Sequence, residues 1–268
     1  MGDDGLIADE VGEWAKEKHS YLTRYIDISH GARQRFIGPG KAGATYFDPF
    51  CATGRSKVRG TGEWIDGSAV AAWKASVASG APFTQVFISD IDQACVDACT
   101  ARLKKLNAPV TAICADAVSA VPQMISGVNN LGLHLALLDP YNLELDFRII
   151  QGLSALKRVD LVIHLSAMDL QRNLANNLKG DESAFDVLAP GWRDSIDLAA
   201  SKQTIRAAVI EYWRGKVAAL GKWPSATQRL ITGEKHQPLY WLLLASGHQL
   251  AQKFWGIATN PEKQGELF

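Results

Sequence analysis

Short apolar segments alternate with longer amphipathic segments through most of the chain. The short segments are rich in β-branched and aromatic residues, and they predict strands at 44–50, 85–89, 110–114, 133–138 and 161–165. The longer segments predict helices at 68–79, 92–107, 118–128 and 146–156. Strands that are regularly separated by helices predict βαβ units, and therefore a parallel sheet with helices packed on it.

The two ends of the chain depart from this alternation. Residues 9–28 predict a helix, because apolar residues recur there at helical spacing. Region 167–230 predicts a helical insert that ends in an amphipathic helix at 204–220, and this insert serves either as a substrate lid or as ordinary packing. Residues 238–246 predict an apolar strand, which suits an antiparallel closing strand.

We expect one domain, because no linker-like stretch divides the 268 residues. The predicted fold class is α/β, with a doubly wound, mostly parallel sheet, a helical insert and a late closing strand. The expected parts are the N-terminal helix and loop (1–43), the core (44–166), the helical insert (167–230), and the closing strand with the C-terminal helix (231–268).

Composition and charge exclude some partners. Apolar content of 47%, charged content of 21% and zero net charge fit a globular protein with no overall field toward nucleic acid or membrane. No apolar run reaches the roughly 18 residues that span a bilayer. The first ten residues are acidic and lack the features of a signal peptide. These properties predict a cytoplasmic protein without a membrane partner.

The four cysteines follow no disulfide framework. Cys95 and Cys99 have the spacing of one helix face, but no second pair or suitable histidine lies near them in the sequence. We therefore predict structural thiols and no metal site. His164 and His236 are interpreted as hydrogen-bonded structural histidines.

Four predicted strands are each followed by a loop that contains an acid. Such loops meet in the crevice beyond the carboxyl ends of parallel strands, where ligands of α/β proteins bind. In the first loop small residues would let a nucleotide-type cofactor approach the backbone, although a tight turn alone also uses glycine. The candidate cofactor residues of this loop are Asp48, Phe50, Cys51, Ala52 and Gly54.

The second and third loops contain Asp90 and Asp116. Asp90 directly follows a strand, where an acid accepts hydrogen bonds from both ribose hydroxyls of a nucleotide cofactor. Asp116 is placed to accept from an adenine amino group. For both loops the alternative is a helix N-cap, which Asp90 or Asp92 would supply in the second loop and Asp116 in the third.

The fourth loop, Asp139-Pro140-Tyr141-Asn142, gives the most specific signal. It resembles the Asp-Pro-Pro-Tyr motif of amino-methyltransferases and is one proline short. The resemblance implies that Asp139 and the following carbonyl, that of Pro140, accept hydrogen bonds from a target amine, while Tyr141 stacks on a flat substrate. The alternative is a strand-ending turn with a packed tyrosine.

A local excess of basic residues surrounds the first loop, and only Asp27 and Asp48 oppose it. The basic residues are Arg24, Arg33, Arg35, Lys41, Arg55, Lys57 and Arg59. The stretch Arg24–Arg59 therefore predicts an anionic partner such as nucleic acid, with a solvated basic face as the alternative.

Several of these motifs together resemble the three-Cys-motif partner protein (TcmP) family. The resemblance covers most of the chain and rests on Trp14, Lys18-His19, Leu22, Tyr25, Tyr46 to Gly54, Asp66-Gly67-Ser68, Leu137 to Tyr141, Gly191-Trp192 and Pro238 to Leu243. It implies a Rossmann-like S-adenosylmethionine (SAM) methyltransferase encoded beside a three-Cys-motif protein. The family pattern places Ala and Gly where this chain has Cys51 and Ala52, so the Ala52 methyl group is expected to crowd SAM.

Together these features predict a SAM-dependent methyltransferase that acts on an exocyclic amine of a nucleobase. Two alternatives stay open. One is a non-catalytic or partner-dependent scaffold that binds the three-Cys-motif protein. The other is a nucleic-acid-processing subunit such as a nuclease, which would depend on a divalent metal.

Overall fold

The computed structural model describes residues 1–141, 143, 145–172, 174–179, 183–226, 228–233 and 237–260. Asn142 of the fourth loop and His236 lie outside the described residues. The strands are β1 (Asp9–Val11), β2 (Ala44–Asp48), β3 (Arg55–Val58), β4 (Trp64–Asp66), β5 (Gln85–Asp90), β6 (Val110–Cys114), β7 (Leu133–Leu138), β8 (Val159–Ser166), β9 (Trp223–Pro224), β10 (Arg229–Thr232) and β11 (Pro238–Ser246).

The described helices alternate with these strands in the first part of the chain and cluster after β8. They are α1 (Trp14–Ile28), α2 (His30–Gln34), α3 (Ser68–Ala78), α4 (Gln93–Lys105), α5 (Ala117–Ser126), α6 (Phe147–Ser154), α7 (Ala167–Arg172), α8 (Leu174–Lys179), α9 (Ala184–Leu188), α10 (Lys202–Ala219) and α11 (Gln249–Ala258), with a short 3-10 helix at Trp192–Asp194.

The main sheet has the strand order β10-β11-β8-β7-β2-β5-β6, with β9 paired to β11. The five strands from β6 to β8 are parallel, and in chain order they are arranged 3-2-1-4-5, as in a Rossmann sheet. The late strand β11 is antiparallel to β8, as predicted, but β10 lies beyond it, so β11 is internal to the sheet. The predicted α/β class with a mostly parallel sheet is confirmed.

Helices cover both faces of this sheet. Successive residues of a strand point to opposite faces, and in β2 Phe47 joins one apolar cluster while Tyr46 joins the other. Residues of α5, α6 and α10 belong to the first cluster, and residues of α1, α3, α4 and α11 belong to the second. The two clusters make the sheet doubly wound and bury its central strands.

The predicted helix at 9–28 is wrong at its start. Asp9–Val11 is a strand that pairs in parallel with β3, and the helix begins only at Trp14. The strands β3 and β4 form an antiparallel pair beside it, in a separate three-stranded sheet. Pairing with a segment 47 residues away leaves no local pattern that helical periodicity could reveal.

The predicted helical insert also contains strands. β9 and the first residues of β10 fall inside 167–230, where only helices were expected. The long helix α10 buries Ile205, Val209, Trp213 and Val217, which recur every four residues on one face. All four belong to a core cluster, so this face of α10 packs on the sheet.

Within the described part of the chain, no helix combines the length and apolar character needed to cross a membrane.

Candidate functional site

Three predicted acids lie at the carboxyl edge of the sheet. Asp48 ends β2, Asp90 ends β5, and Asp139 directly follows β7. The strand order reverses between the neighbouring strands β2 and β7. The chain adds β5 and β6 on the outer side of β2, and it adds β8 on the outer side of β7. Such a switch point opens a crevice between the loops that leave the two strands in opposite directions.

The loop after β2 turns sharply beneath this crevice. Ala52 and Gly54 both adopt a left-handed backbone, with φ of 48° and 77°. A Cβ on Gly54 would come 2.9 Å from the Sγ of Cys99, so glycine is required there for packing as well as for its conformation. The amide of Cys51 donates to the Ser89 carbonyl at 2.9 Å, which fixes the loop against β5.

Asp48 is fully buried beneath the loop and holds it from below. Its carboxylate accepts hydrogen bonds from the hydroxyls of Ser68 (2.6 Å) and Tyr46 (3.2 Å) and from the amide of Phe50 (3.4 Å). Burial raises the pKa of Asp48 to about 6, and the negative charge of Asp139 adds to this effect. Because Asp48 is enclosed by protein, its geometry suits shaping of the turn.

Asp90 links the same loop to β5. Its Oδ2 accepts from the amide of Ala52 at 3.1 Å and its Oδ1 from the amide of Asp92 at 3.0 Å. Each carboxylate oxygen can accept two hydrogen bonds, so this partly exposed group retains acceptor capacity toward the crevice. Asp92 caps α4 through the amide of Ala94, which confirms the predicted N-cap.

Asp116 caps α5. Its two oxygens accept from the amide of Ser119 at 3.0 Å and from the Ser119 hydroxyl at 2.7 Å. The Ser119 bonds lower the pKa of this exposed carboxyl below its ordinary value. The capping alternative is thus realised, and the adenine contact stays a prediction.

Asp139 is held by two groups that the sequence analysis did not assign to the site. The ammonium of Lys18, on α1, forms an ion pair with Oδ2. The Nδ1 of His164, on β8, lies 3.0 Å from Oδ1 and 3.2 Å from the Pro140 carbonyl oxygen. Both of these neighbours are acceptors, which assigns a proton to Nδ1.

These contacts decide the chemistry available to Asp139. Burial alone would raise its pKa, but the charge of Lys18 and the hydrogen bond from His164 outweigh burial and hold the pKa below the usual range. A carboxylate with a lowered pKa is a poor proton acceptor. Asp139 is therefore suited to orient a donor and not to act as a general base.

Tyr141 is fully exposed beside this cluster, so the alternative of a packed tyrosine is wrong. The aromatic ring that packs against Lys18 and His164 is that of Tyr240. The ring of Tyr240, on β11, meets the ring of His164 edge-on with centroids 4.0 Å apart. Lys18 lies 6.0 Å from the centroid of Tyr240 as well. These contacts fix the two groups that hold Asp139.

The signals for these additional residues were weak. Lys18 is one of the residues in the family resemblance, but nothing in a helical pattern links it to a strand end 121 residues away. His164 was interpreted as a structural histidine because it lies within a strand. Its hydrogen bond to Pro140 fits that interpretation, and its contact with Asp139 places it in the site as well.

The N-terminal segment is attached to the loop after β2. Arg102, on α4, donates to the carbonyls of Thr53 (2.6 Å) and Ile7 (2.8 Å) and forms an ion pair with Asp4 at 2.7 Å. The hydroxyl of Thr53 also donates to Asp9 at 2.7 Å. The hydrogen bond to Arg102 lowers the pKa of Asp4 to about 2. These bonds attach residues 4–9 to the loop after β2 and to α4.

The basic stretch Arg24–Arg59 is divided in the structure. Arg33 is buried, and Arg55 forms ion pairs with Asp3 (2.6 Å) and Asp66 (2.8 Å). Lys57 and Arg59 lie over the rings of Trp64 and Trp14. The seven side chains do not form one continuous basic face, and contact with nucleic acid stays a prediction.

Among the described residues, no group of three or more His, Cys, Asp or Glu side chains is arranged to hold a metal ion. All four cysteines are free. Cys51 and Cys99 are buried, as expected of structural thiols, whereas Cys114 is exposed.

Comparisons with known proteins fit this fold. No family model matches the chain, and no curated protein matches it, so membership of the TcmP family is not confirmed. Among solved structures, a Legionella pneumophila protein of family model DUF519 aligns with a TM-score of 0.52 at 8% identity, over 91% of this chain and 93% of its own. At this identity the likeness shows the fold alone.

Other similar structures are methyltransferases. A Bacillus cereus O-methyltransferase in complex with SAH has a TM-score of 0.48 at 12% identity, and the alignment covers 91% of this chain and 84% of that one. The M. jannaschii protein TYW2 in complex with AdoMet has a TM-score of 0.45 at 8% identity, and the alignment covers 87% of this chain and 75% of that one.

Proposed function

We propose that this protein is a SAM-dependent methyltransferase whose acceptor is an exocyclic amine of a nucleobase. The observation that supports it best is the meeting of Asp48, Asp90 and Asp139 at the switch point of a Rossmann-ordered sheet. A left-handed turn at Ala52 and Gly54 lies beside these acids. This is the place where nucleotide-type cofactors bind in open α/β sheets.

The residues of this edge fit SAM. Asp90 retains acceptor capacity for the ribose hydroxyls, and Asp116 lies exposed at the start of α5 for the adenine side. Cys51, Ala52 and Gly54 supply a turn of small residues for the amino-acid part of the cofactor, with Phe50 beside them. When bound, SAM supplies an electrophilic methyl group.

The acceptor side consists of Asp139, Pro140 and Tyr141. Lys18 and His164 each use one lone pair of the Asp139 carboxylate, which leaves one on each oxygen for an amine. The exposed ring of Tyr141 offers a face on which a nucleobase can stack. Since the neutral amine attacks through its own lone pair, alignment by Asp139 is the main contribution of the protein to the rate.

After methyl transfer the positively charged nitrogen loses its proton to water, because the lowered pKa of Asp139 makes this carboxylate a poor proton acceptor. The charge of Asp139 also stabilises the positive charge that develops on the nitrogen as the new bond forms. Lys18 and His164 act as positioning residues that keep the carboxylate ionised and fixed.

Calorimetric titration with SAM and with its demethylated product tests the cofactor. We expect binding by the wild type, and a loss of about tenfold or more in Asp90→Ala because the ribose acceptor is removed. Asp139→Ala should bind SAM as the wild type does and transfer no radiolabelled methyl group to nucleic acid. Asp97→Ala, an exposed acid on α4, is the matched control.

Two results would contradict the proposal. If the wild type does not bind SAM at millimolar concentration, SAM is not its cofactor. If Asp90→Ala binds SAM as tightly as the wild type, Asp90 does not hold the ribose. A large loss of SAM affinity in Asp139→Ala would instead overturn the division between cofactor and acceptor residues.

A partner-dependent scaffold is the second candidate. Two observations favour it. Lys18 and His164 of the same chain already donate to Asp139 and to the Pro140 carbonyl, and Ala52 has a methyl group where SAM would approach the turn. This candidate predicts a stable complex with a three-Cys-motif protein and no SAM binding by the protein alone. Co-purification with that partner, followed by the same titration, separates the two functions.

A further inference from the structure

A cavity lies at the end of the main sheet opposite to the proposed methyl-transfer site. Its volume is about 550 Å³, within the range of small-molecule sites. It is lined by Leu133 and Val159, the first residues of β7 and β8, and by Ser246, the last residue of antiparallel β11. These positions are the amino ends of the parallel strands, so the length of the sheet separates this cavity from Asp48, Asp90 and Asp139.

The wall of the cavity is mainly apolar and aromatic. Phe36, Phe83 and Phe254 line it, together with Trp223 and Leu250. The last two are 57% and 40% exposed and mark the side that faces solvent. Aromatic rings of this kind bind a flat apolar body with little loss of side-chain freedom.

The charges at the cavity are mostly positive. The basic side chains of its lining are Arg33, Arg35, Lys157, Arg158 and Lys222. The acid in the lining is Asp160, whose oxygens accept hydrogen bonds from the hydroxyls of Tyr25 (2.8 Å) and Ser246 (2.6 Å). A small organic anion therefore meets a basic cavity whose acidic group is already hydrogen-bonded.

Among these basic residues Lys222 gives the strongest indication of an anion site, because it is only 5% exposed. Its described hydrogen bond is to the Leu156 carbonyl at 3.1 Å, and an ammonium has three donors. Burial lowers the pKa of Lys222, and the charge of Asp160 opposes this effect only in part. A buried cation without a full counter-charge is costly, and an anion in the cavity would offset that cost.

The neighbouring His134 gives an independent indication. It lines the same cavity and is 1% exposed, and its Nε2 lies 3.1 Å from the Asn129 carbonyl oxygen. Its Nδ1 is buried without a hydrogen-bond partner among the described residues. Nε2 faces a carbonyl acceptor, and burial lowers the pKa of His134 to about 4, so Nδ1 is an unprotonated acceptor. Buried polar atoms are nearly always paired, so Nδ1 indicates a water or a ligand N–H or O–H donor in the cavity, while the basic side chains indicate the anion.

We infer that this cavity binds a small aromatic anion, such as an aromatic carboxylate, with the anionic group at Lys222 and the ring among the phenylalanine side chains. The site is separate from the proposed methyl-transfer site, and it holds whether or not the protein uses SAM. The cavity lies at the amino ends of β7 and β8, and the same two strands position Asp139 and His164.

Calorimetry with 2-naphthoate and its neutral analogue 2-naphthamide tests the inference on the full chain. We expect the wild type to bind naphthoate at least about tenfold more tightly than naphthamide, because the charge is recognised. Lys222→Met should remove that preference while leaving naphthamide binding unchanged. Lys253→Met, an exposed lysine on α11 outside the cavity, should bind both compounds as the wild type does.

Arg158→Gln provides a second variant in case Lys222→Met does not fold, because Arg158 is exposed at the rim over the ring of Phe36. It should weaken naphthoate several-fold. The inference is overturned if naphthoate and naphthamide bind equally, or if neither variant changes naphthoate binding. Displacement of naphthoate by the demethylated product of SAM would overturn it too, because naphthoate would then bind at the proposed cofactor site and not in this cavity.

Discussion

The carboxylate of Asp139 is largely withdrawn from water and still ionised. Its side chain is 15% exposed and that of Lys18 is 14% exposed. A charge in such a place needs a partner, since desolvation alone would favour the protonated acid. Lys18 and His164 meet this need, because each contacts one oxygen of the carboxylate.

Replacing Lys18 by Met should therefore destabilise the fold at neutral pH. We expect a loss of about 2–4 kcal/mol in the free energy of unfolding, somewhat below the cost of breaking a fully buried pair. Urea unfolding of Lys18→Met, Asp139→Asn and the double variant measures it, and the double variant should recover part of the loss. Lys16→Met, on the same helix but paired with exposed Glu13 and Glu63, should lose less.

The pH dependence of this loss has a definite sign. The folded pKa of Asp139 is lowered from its ordinary value of 3.8, so the stabilisation is complete above that value and disappears as the pH falls through the folded pKa. Without Lys18 only His164 opposes burial, so the pKa of Asp139 is higher in folded Lys18→Met than in the folded wild type. The difference between wild type and Lys18→Met should therefore be largest at neutral pH and shrink as the pH falls through the pKa of Asp139 in the variant. A difference that stays constant down to about pH 3 would assign the effect to another group.

At the residue scale the sequence predicted acids better than their partners. Asp48, Asp90 and Asp139 could be placed at one edge because each follows an apolar strand, and the carboxyl ends of parallel strands meet. Lys18 could not be placed, because its contact with Asp139 joins α1 to β7 across the fold. Local patterns contain no information on such a contact.

At the scale of elements, the N-terminal segment is a strap over the loop after β2. The strap consists of residues 1–11, with β1 paired to β3 and Asp4 and Ile7 bound to Arg102. Arg102 is 5% exposed and also donates to the Thr53 carbonyl. One guanidinium thus connects the strap, α4 and the proposed cofactor turn.

Arg102→Met should release the strap without unfolding the sheet. We expect faster amide hydrogen exchange in residues 1–11 and 51–55, because four described hydrogen bonds of the guanidinium to this region are lost together. Hydrogen-exchange mass spectrometry measures it. Lys104→Met, an exposed lysine on the same helix, is the control, and equal exchange in both variants would show that Arg102 does not hold the strap.

The elements that the sequence predicted well are those with strong periodicity. Strands β6, β7 and β11 have the predicted bounds, because each is a continuous apolar or β-branched segment next to turn residues. β3 and β10 were missed, since Arg55–Val58 and Arg229–Thr232 are short and partly exposed. Their strand conformation comes from pairing with β1, β4 and β11, and tertiary pairing overrides weak local preference.

At the scale of the whole molecule, the sheet places two different chemistries at its two edges. Acids and a left-handed turn lie at the carboxyl edge, and basic and aromatic side chains line the cavity at the amino edge. The central strand β2 lies between the two apolar clusters and ends in the fully buried Asp48. Ionisation of this residue therefore acts on the stability of the entire sheet.

The pH dependence of global unfolding tests this view. The folded pKa of Asp48 is raised from 3.8 to about 6 by burial, so its contribution is favourable below pH 4 and is lost as the pH rises toward and through 6. Asp48→Asn removes the titration, and from pH 4 to pH 7 the wild type should lose about 2 kcal/mol relative to this variant.

Urea unfolding at half-unit steps of pH measures the difference. Asp116→Asn is the control, because the lowered pKa of exposed Asp116 gives no pH dependence relative to the wild type between pH 4 and pH 7. A flat difference for Asp48→Asn would mean that Ser68, Tyr46 and Phe50 keep the carboxylate ionised in spite of burial. Asp48 would then be a fixed anion beneath the turn, and its charge would repel a bound carboxylate rather than respond to pH.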